Sequence, residues 1–310
     1  MTSITAYNVH KDVCDEIEQK YKVDVRRITD DINEDNVDEN ADIFIVRYTH
    51  RFIGGSTILS KAKKLKYLLT TSTGVDHIDI DYCKNMGIKV INCTDYAKNA
   101  VAELAVCAAF FGLRNIYAAS IAGKKLDYSN NYRYLGQELY GKTCGVMGTG
   151  KIGSCIAEKL ISLGCNVIAY DILEKDELKA KGIKYVPLNN LLKDSDIIFL
   201  ALPLTKSTFH IIDDKTLQNT KDGCSIINVG RGELIDNFAL YNNIGRIGFA
   251  VLDVVEGESE ILSGNASGII KQLAERPNVY LFPHIGARTK EAEINKKHEI
   301  IEIIGSIINK

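Results

Sequence analysis

Short β-branched runs alternate with amphipathic stretches along nearly the whole chain, the pattern of parallel sheets joined by crossover helices. In the first third the runs are ITAYNV, VDVRRI, DIFIVRY, KYLLTT and KVINCT, separated by segments of helical period such as Val13 to Tyr21 and Ile80 to Met86. After Thr94 the pattern changes. Residues 99–123, NAVAELAVCAAFFGLRNIYAASIAG, are alanine-rich, almost all apolar and free of proline, which predicts one long helix. Apolar all round, that helix is expected either between domains or in a subunit contact. The tyrosine-rich loop 127–142 that follows suits an interface better than a ligand pocket, because tyrosine serves where an apolar body needs a wet end. From Thr143 a second series of strands begins: TCGVMG, NVIAYD, IKYV, DIIFLAL, CSIINVG, IGFAVLDV and NVYLFPH. A long amphipathic stretch closes the chain and predicts a final helix. Two α/β units are therefore expected, the second starting near Asn99, and the pattern leaves the final helix to either.

Composition narrows the class. A chain of 310 residues is long for one core, and a net charge of −2 with 25% charged residues is that of an ordinary globular protein. Basic residues are as scattered as acidic ones, which argues against nucleic acid; the one dense run, KAKKLK from Lys61 to Lys66, reads as the solvated face of a helix. The N-terminal residues show no basic segment followed by an apolar one, and no stretch is long and apolar enough to span a bilayer, so a cytoplasmic location without membrane attachment is expected. The eight cysteines are dispersed and form no Cys-x-x-Cys pair, so they read as small buried hydrophobes; with six histidines far apart in sequence, no metal site is expected.

The second series opens on VMGTGKIGSCIAEKLISLGCNVIAYD. Gly148, Gly150 and Gly153 follow a strand and open a helix, and Asp171 stands 18 residues after Gly153 at the end of the next strand. In a dinucleotide site the first glycine makes the turn, the second admits the pyrophosphate and the third lets helix and strand pack. The helix N-terminus offers unpaired N–H groups to the phosphates. Asp171 suits the hydroxyls of an adenosine ribose and repels a 2′-phosphate, and no arginine follows it, so NAD is favoured over NADP.

Three further motifs sit at strand ends, where open α/β sheets bind ligands. NVGRGELID places Arg231 between two glycines, LDVVEGE offers Asp253, Glu256 and Glu258, and PHIGA carries His284. Reduction of a 2-oxo acid needs these types. A planar guanidinium grips a carboxylate in bidentate fashion. A histidinium beside a carboxylate can protonate the carbonyl oxygen as hydride arrives.

These motifs, GTGKIG, VIAYD, LPLTKSTFHII, INVGRGELID, LDVVEGE and RPNVYLFPHIGA, resemble successive motifs of the D-isomer-specific 2-hydroxyacid dehydrogenase family over essentially the whole chain. The stretch DVVEGESEIL and CTDYAKNAVAE are most similar to its D-lactate dehydrogenase branch, including enzymes of the vancomycin-resistance type. The resemblance implies two Rossmann/flavodoxin-like parallel-sheet domains: a substrate domain of residues 1–98 and 286–310, and an NAD-binding domain of 99–285, with the active site in the cleft between them. It makes Arg231 the clamp on substrate carboxylate and carbonyl, His284 the proton donor and acceptor, and Glu258, favoured over Glu256 by spacing from Asp253, its partner. Cofactor contacts fall on Gly148, Gly150, Lys151, Ile152, Gly153, Asp171, Pro203, Thr208, Val229, Gly230 and Asp253. Substrate contacts fall on the N–H groups of Thr73, Gly74 and Val75, on Tyr96 and on Arg231; His77, in the same loop, reads as structural. A homodimer is implied through the long helix and the tyrosine-rich loop. The chain departs from the branch at Ala287 and Arg288, where members carry aromatic residues. Pyruvate to D-lactate is the expected reaction. A bulkier 2-oxo acid such as 2-oxoisocaproate or phenylpyruvate is the alternative, and a non-catalytic NAD-sensing corepressor, which would not need the catalytic residues, is a further one. Glu258 argues against a formate dehydrogenase, whose chemistry needs no acid–base pair.

Overall fold

In the first series the β-branched runs become five parallel strands: β1 (Ile4–Tyr7), β2 (Val25–Ile28), β3 (Ile43–Val46), β4 (Tyr67–Thr70) and β5 (Lys89–Asn92), in the order β2-β1-β3-β4-β5. The computed structural model describes residues 2–47 and 52–309, so Tyr48, the last residue of the run DIFIVRY, lies outside the described residues. Alternation along the strands separates two cores. Ile43, Ile45 and Leu69 face α1 (Lys11–Tyr21) and the chain's last helix, α12 (Lys290–Ile308). Phe44, Val46 and Leu68 face the other side, with Ile53, Leu59 and Cys83 of α2 (Ile80–Asn85). The order 2-1-3-4-5 is that of flavodoxin-like sheets. The inner strands β1, β3 and β4 are buried on both faces because both are covered, while the edge strand β2 exposes Arg26 and Arg27.

This sheet belongs to one of two compact units, Met1–Ala97 with Thr289–Lys310; the other is Lys98–Arg288. The second unit holds α3 (Lys98–Leu113), α4 (Ile116–Lys124), β6 (Thr143–Met147), α5 (Lys151–Ser162), β7 (Asn166–Tyr170), α6 (Asp176–Ala180), β8 (Lys184–Tyr185), α7 (Leu188–Asp194) and β9 (Ile197–Leu200). Next come α8 (Asp214–Gln218), β10 (Ser225–Asn228), α9 (Asn237–Asn243), β11 (Ala250–Leu252), α10 (Glu258–Leu262), α11 (Gly268–Ala274) and β12 (Val279–Leu281). Its seven strands are parallel in the order β12-β11-β10-β9-β6-β7-β8. The chain's direction of winding reverses between β6 and β9, the switch point where such sheets open a crevice at the carboxyl ends of their strands. Leu200, Ile226 and Leu252 pack beneath it against Leu217, Leu240 and Leu273.

Two expectations need correction. The single helix over 99–123 is two, α3 and α4, with axes 67° apart. Asn115 takes a left-handed backbone at φ +51, which Asn tolerates better than most residues. The Leu113 carbonyl accepts from Gln137 N–H at 2.9 Å, and Asn115 Nδ2 donates to Leu135 at 3.3 Å, so tertiary bonds replace helical ones at the break. No single helix among the described residues is long and apolar enough to cross a membrane. The run Lys61–Lys66 is not a helix: only a short 3-10 turn, Leu59–Lys61, forms there. Its lysines are solvated as expected, with Lys63 paired to Glu39 and Lys66 to Asp42, while Ala62 and Leu65 are buried beneath them.

Candidate active site

The turn between β6 and α5 is shaped by close backbone contacts. Gly148 sits at φ +89, and a Cβ on it would lie 2.8 Å from the carbonyl oxygen of Ala201. A Cβ on Gly153 would collide with the Gly148 carbonyl, so α5 packs on the turn only because that residue is glycine. Around Gly150, by contrast, nothing lies within 4 Å of where a Cβ would be, and Gly150 caps α5 without a side-chain hydrogen bond. An open backbone at an uncapped helix N-terminus, with Lys151 and Ile152 in its first turn, fits a dinucleotide's pyrophosphate. Asp171, after β7, accepts from both the N–H and the hydroxyl of Thr149 on Oδ2, and from Leu173 N–H on Oδ1. These three donors fix the Asp171 carboxylate beside the turn. Thr149 itself accepts from the Tyr185 hydroxyl at 2.9 Å. Neither Thr149 nor Tyr185 carried a sequence signal.

The loops after β9, β10 and β11 hold the remaining predicted cofactor residues. Thr208 Oγ1 donates to the Pro203 carbonyl at 2.7 Å and accepts from Thr205 N–H at 2.8 Å, closing a tight turn. Val229 and Gly230 are buried at the end of β10. Asn228, fully buried and unflagged by the sequence reading, accepts from Gly230 N–H at 3.0 Å and donates to the Arg231 carbonyl at 2.8 Å. Its side chain thus fixes the turn that presents Arg231, whose Nη1 donates to the Gly230 carbonyl at 2.7 Å. The other flank is set by Gly232, where a Cβ would collide with the backbone of Val255 and Glu256.

His284 Nδ1 lies 2.9 Å from Glu258 Oε2. Glu258 is the first residue of α10, and its other oxygen accepts from Val255 N–H at 3.2 Å. Glu256 is turned elsewhere, its Oε1 2.8 Å from His210 Nε2. His284 has a left-handed backbone, φ +53. Asp253 holds that turn: its carbonyl accepts from His284 N–H, and its carboxylate accepts from Ile285 N–H at 2.8 Å and Gly286 N–H at 2.9 Å. Burial pushes the Asp253 carboxyl above the usual carboxylate range, against the pull of those two N–H groups. Ala287 and Arg288 follow, Arg288 exposed and donating its N–H to the Ile285 carbonyl.

Within the first unit, the loop after β4 carries Thr73, Gly74 and Val75. Asn92 Nδ2 donates to the Thr73 carbonyl and Ser72 Oγ to the Gly74 carbonyl at 2.8 Å, so the carbonyls are engaged from within. Among the described residues, the N–H groups of these three make no hydrogen bond. His77 is buried, with Nε2 3.1 Å from Thr70 Oγ1. Tyr96 donates its N–H to Glu299 Oε2 at 2.9 Å, and Lys296 Nζ lies 5.6 Å from its ring centroid.

The site can be set beside known proteins. Residues 106–286 match the family model for the D-isomer specific 2-hydroxyacid dehydrogenase, NAD binding domain. The chain is 32% identical over 302 residues to a D-specific alpha-keto acid dehydrogenase of Enterococcus faecium, covering 93% of this chain and 92% of that one. It is 36% identical over 266 residues to a hydroxypyruvate reductase of Thermotoga maritima, covering 85% and 84%. Among solved structures it is similar to the D-lactate dehydrogenase from Aquifex aeolicus complexed with NAD and lactic acid, with a TM-score of 0.88, 31% identity and coverage of 99% and 95%. The chain therefore belongs to the NAD-dependent D-isomer-specific 2-hydroxyacid dehydrogenase family of oxidoreductases.

Proposed function

We propose that the enzyme reduces a small 2-oxo acid to the D-2-hydroxy acid, pyruvate to D-lactate being the reaction assigned to it. The observation that carries the reading is the 2.9 Å contact between His284 Nδ1 and Glu258 Oε2. A bond at Nδ1 orients the ring so that Nε2, on its opposite side, faces away from Glu258. From Nε2 the imidazolium gives its proton to the carbonyl oxygen, and the negative Glu258 stabilises the charged ring until it does. Arg231 holds the substrate carboxylate and carbonyl through its planar N–H donors. When bound, NADH supplies the hydride that reduces the 2-carbon. Gly148, Gly150, Lys151, Ile152 and Gly153 hold the pyrophosphate, Asp171 the ribose, and Pro203, Thr208, Val229, Gly230 and Asp253 the rest of the cofactor. Thr73, Gly74, Val75 and Tyr96 contribute further substrate contacts. In this reading residues 1–98 and 286–310 form the substrate domain and 99–285 the cofactor domain.

The enzyme is further assigned as a cytoplasmic homodimer. Tyr117 and Ile121 of α4, and Leu126, Tyr132 and Leu135 after it, are exposed apolar residues of the kind that subunit contacts cover. Light scattering that gives the mass of one chain at micromolar concentration contradicts the dimer.

The test of the activity is loss of NADH absorbance with pyruvate, hydroxypyruvate, 2-oxoisocaproate and phenylpyruvate, followed by chiral analysis of the product. Pyruvate should give the highest kcat/KM and the D isomer. Hydroxypyruvate belongs in the panel because of the likeness to the Thermotoga maritima reductase. Turnover of none of the four refutes the reading.

A further inference from the structure

The loops after β9, β10 and β11 meet at one side chain that the reaction does not use, His210. It ends the loop that carries Pro203 and Thr208, and it adopts a left-handed backbone at φ +50, a conformation histidine takes more readily than most residues. Its N–H donates to the Glu233 carbonyl at 2.8 Å, in the turn that presents Arg231. Its Nε2 lies 2.8 Å from Glu256 Oε1, in the loop that leads to Glu258. Its Nδ1 lies 4.0 Å from Asp236 Oδ2, and that carboxylate caps α9 through its other oxygen. The ring stacks on Phe209 with centroids 3.9 Å apart and planes 20° from parallel. Among the described residues, the hydrogen bonds and ion pairs of His210 thus cross from its own loop to the next two, and the stacked ring of Phe209 supports them.

Glu256 is fastened in the same way. Its carbonyl accepts from Asn237 Nδ2 at 3.1 Å, and its backbone lies over Gly232, the residue after Arg231. Glu258, two residues on, holds His284. A shift of Glu256 therefore moves Glu258, and a shift of Glu233 moves Arg231.

We infer that His210, with Glu256 as its partner, is a positioning residue that fixes the Arg231 turn and the Glu256–Glu258 turn relative to each other, so that the carboxylate clamp and the proton donor address one substrate. This rests on the roles assigned to Arg231, Glu258 and His284 above. His210 touches neither reacting group.

Three single variants, one double variant and three readouts test it. His210→Ala removes the tie, Glu256→Ala removes its partner, and His210→Gln places an amide N–H donor at the reach of Nε2. His210→Ala should lower kcat/KM for the 2-oxo acid by on the order of tenfold, as a small misplacement of reacting groups does. NADH affinity, read by fluorescence, should fall by less than kcat/KM does, because the Gly148 to Gly153 turn is not held by His210, although the loop carrying Pro203 and Thr208 is. His210→Gln should restore most of the loss. Glu256→Ala should match His210→Ala, and the double variant should be no worse than either, as for two members of one pair. Hydrogen exchange of the folded protein gives a readout that needs no turnover: amides of residues 232–236 and 254–258 should exchange faster in His210→Ala, and those of β6 and α5 unchanged. Unchanged exchange in both loops overturns the inference, as do wild-type kinetics in His210→Ala. Equal damage in the Ala and Gln variants with faster exchange throughout the unit overturns it too, since that is general loosening. If the wild-type protein turns over no 2-oxo acid, the proposed function fails and the exchange result alone decides the positioning role.

Discussion

Two histidine–carboxylate pairs lie at the same end of one sheet, and they are mounted oppositely. His284 meets Glu258 through Nδ1 at 2.9 Å, whereas His210 meets Glu256 through Nε2 at 2.8 Å. Both histidines have left-handed backbones, and both carboxylates follow β11, Glu256 in the loop and Glu258 at the start of α10. The difference is which end of the ring is tied. Bonded at Nδ1, close to the backbone, His284 carries its Nε2 outward, and its side chain is 42% exposed. Bonded at the tip and stacked on Phe209, His210 is 26% exposed and joins loops instead. On the roles proposed for them, the same two residue types serve as a proton donor in one orientation and a strut in the other.

The largest expected effect lies on the first pair. His284→Ala should lower kcat by at least about 10²-fold, the low end of what general acid catalysis contributes, while NADH binding read by fluorescence survives. Next comes the carboxylate. Glu258→Gln keeps an acceptor for His284 but loses the charge, and turnover should fall on the order of tenfold because a charge-assisted bond becomes an ordinary one; steady-state assays of Glu256→Gln beside it should show the smaller loss. Gly232→Ala strikes what the two pairs share. Its methyl group would collide with the backbone of Val255 and Glu256, so urea unfolding should show a loss of about 1–3 kcal/mol, as overpacking usually costs.

The smallest effect is one of pH. Burial holds Asp253 above the usual carboxylate range, so the folded protein keeps that proton to a higher pH than the unfolded chain does. The stability it contributes is complete below the ordinary aspartate value of about 3.9 and is lost as pH rises through the raised value. Asp253→Asn does not titrate. The unfolding free energy of the wild type minus that of the variant should therefore decline as urea titrations move upward from about pH 4; an increasing difference would contradict the account.

What the sequence made legible was local. The alternation of apolar runs predicts the strands, and the spacing of Gly148, Gly150, Gly153 and Asp171 marks the turn between β6 and α5, although the carbonyl that crowds Gly148 belongs to Ala201. Arg231 and His284 stand just past strand ends that periodicity locates, whereas Glu258, at the start of α10, is separated from Glu256 only by the family's spacing from Asp253. What stayed hidden depends on partners far away in the chain. The break at Asn115 needs Gln137 to take up the Leu113 carbonyl, and no helix propensity encodes that. His210 meets a carboxylate 46 residues on, so nothing in LPLTKSTFHII separates it from a surface histidine. The two Thr149 donors that hold the Asp171 carboxylate come from 22 residues earlier in the chain and carry no local signal.

The most direct measurement compares His284→Asn with His210→Gln under one assay, NADH with pyruvate. Asn places an amide donor where Nδ1 was and Gln places one where Nε2 was, so each variant keeps its hydrogen bond and loses its ring. The account predicts a loss of at least about 10²-fold in kcat for His284→Asn and a kcat within about threefold of wild type for His210→Gln, since the bond it preserves is the function of that residue. Similar losses in the two variants, or the larger loss in His210→Gln, would contradict it.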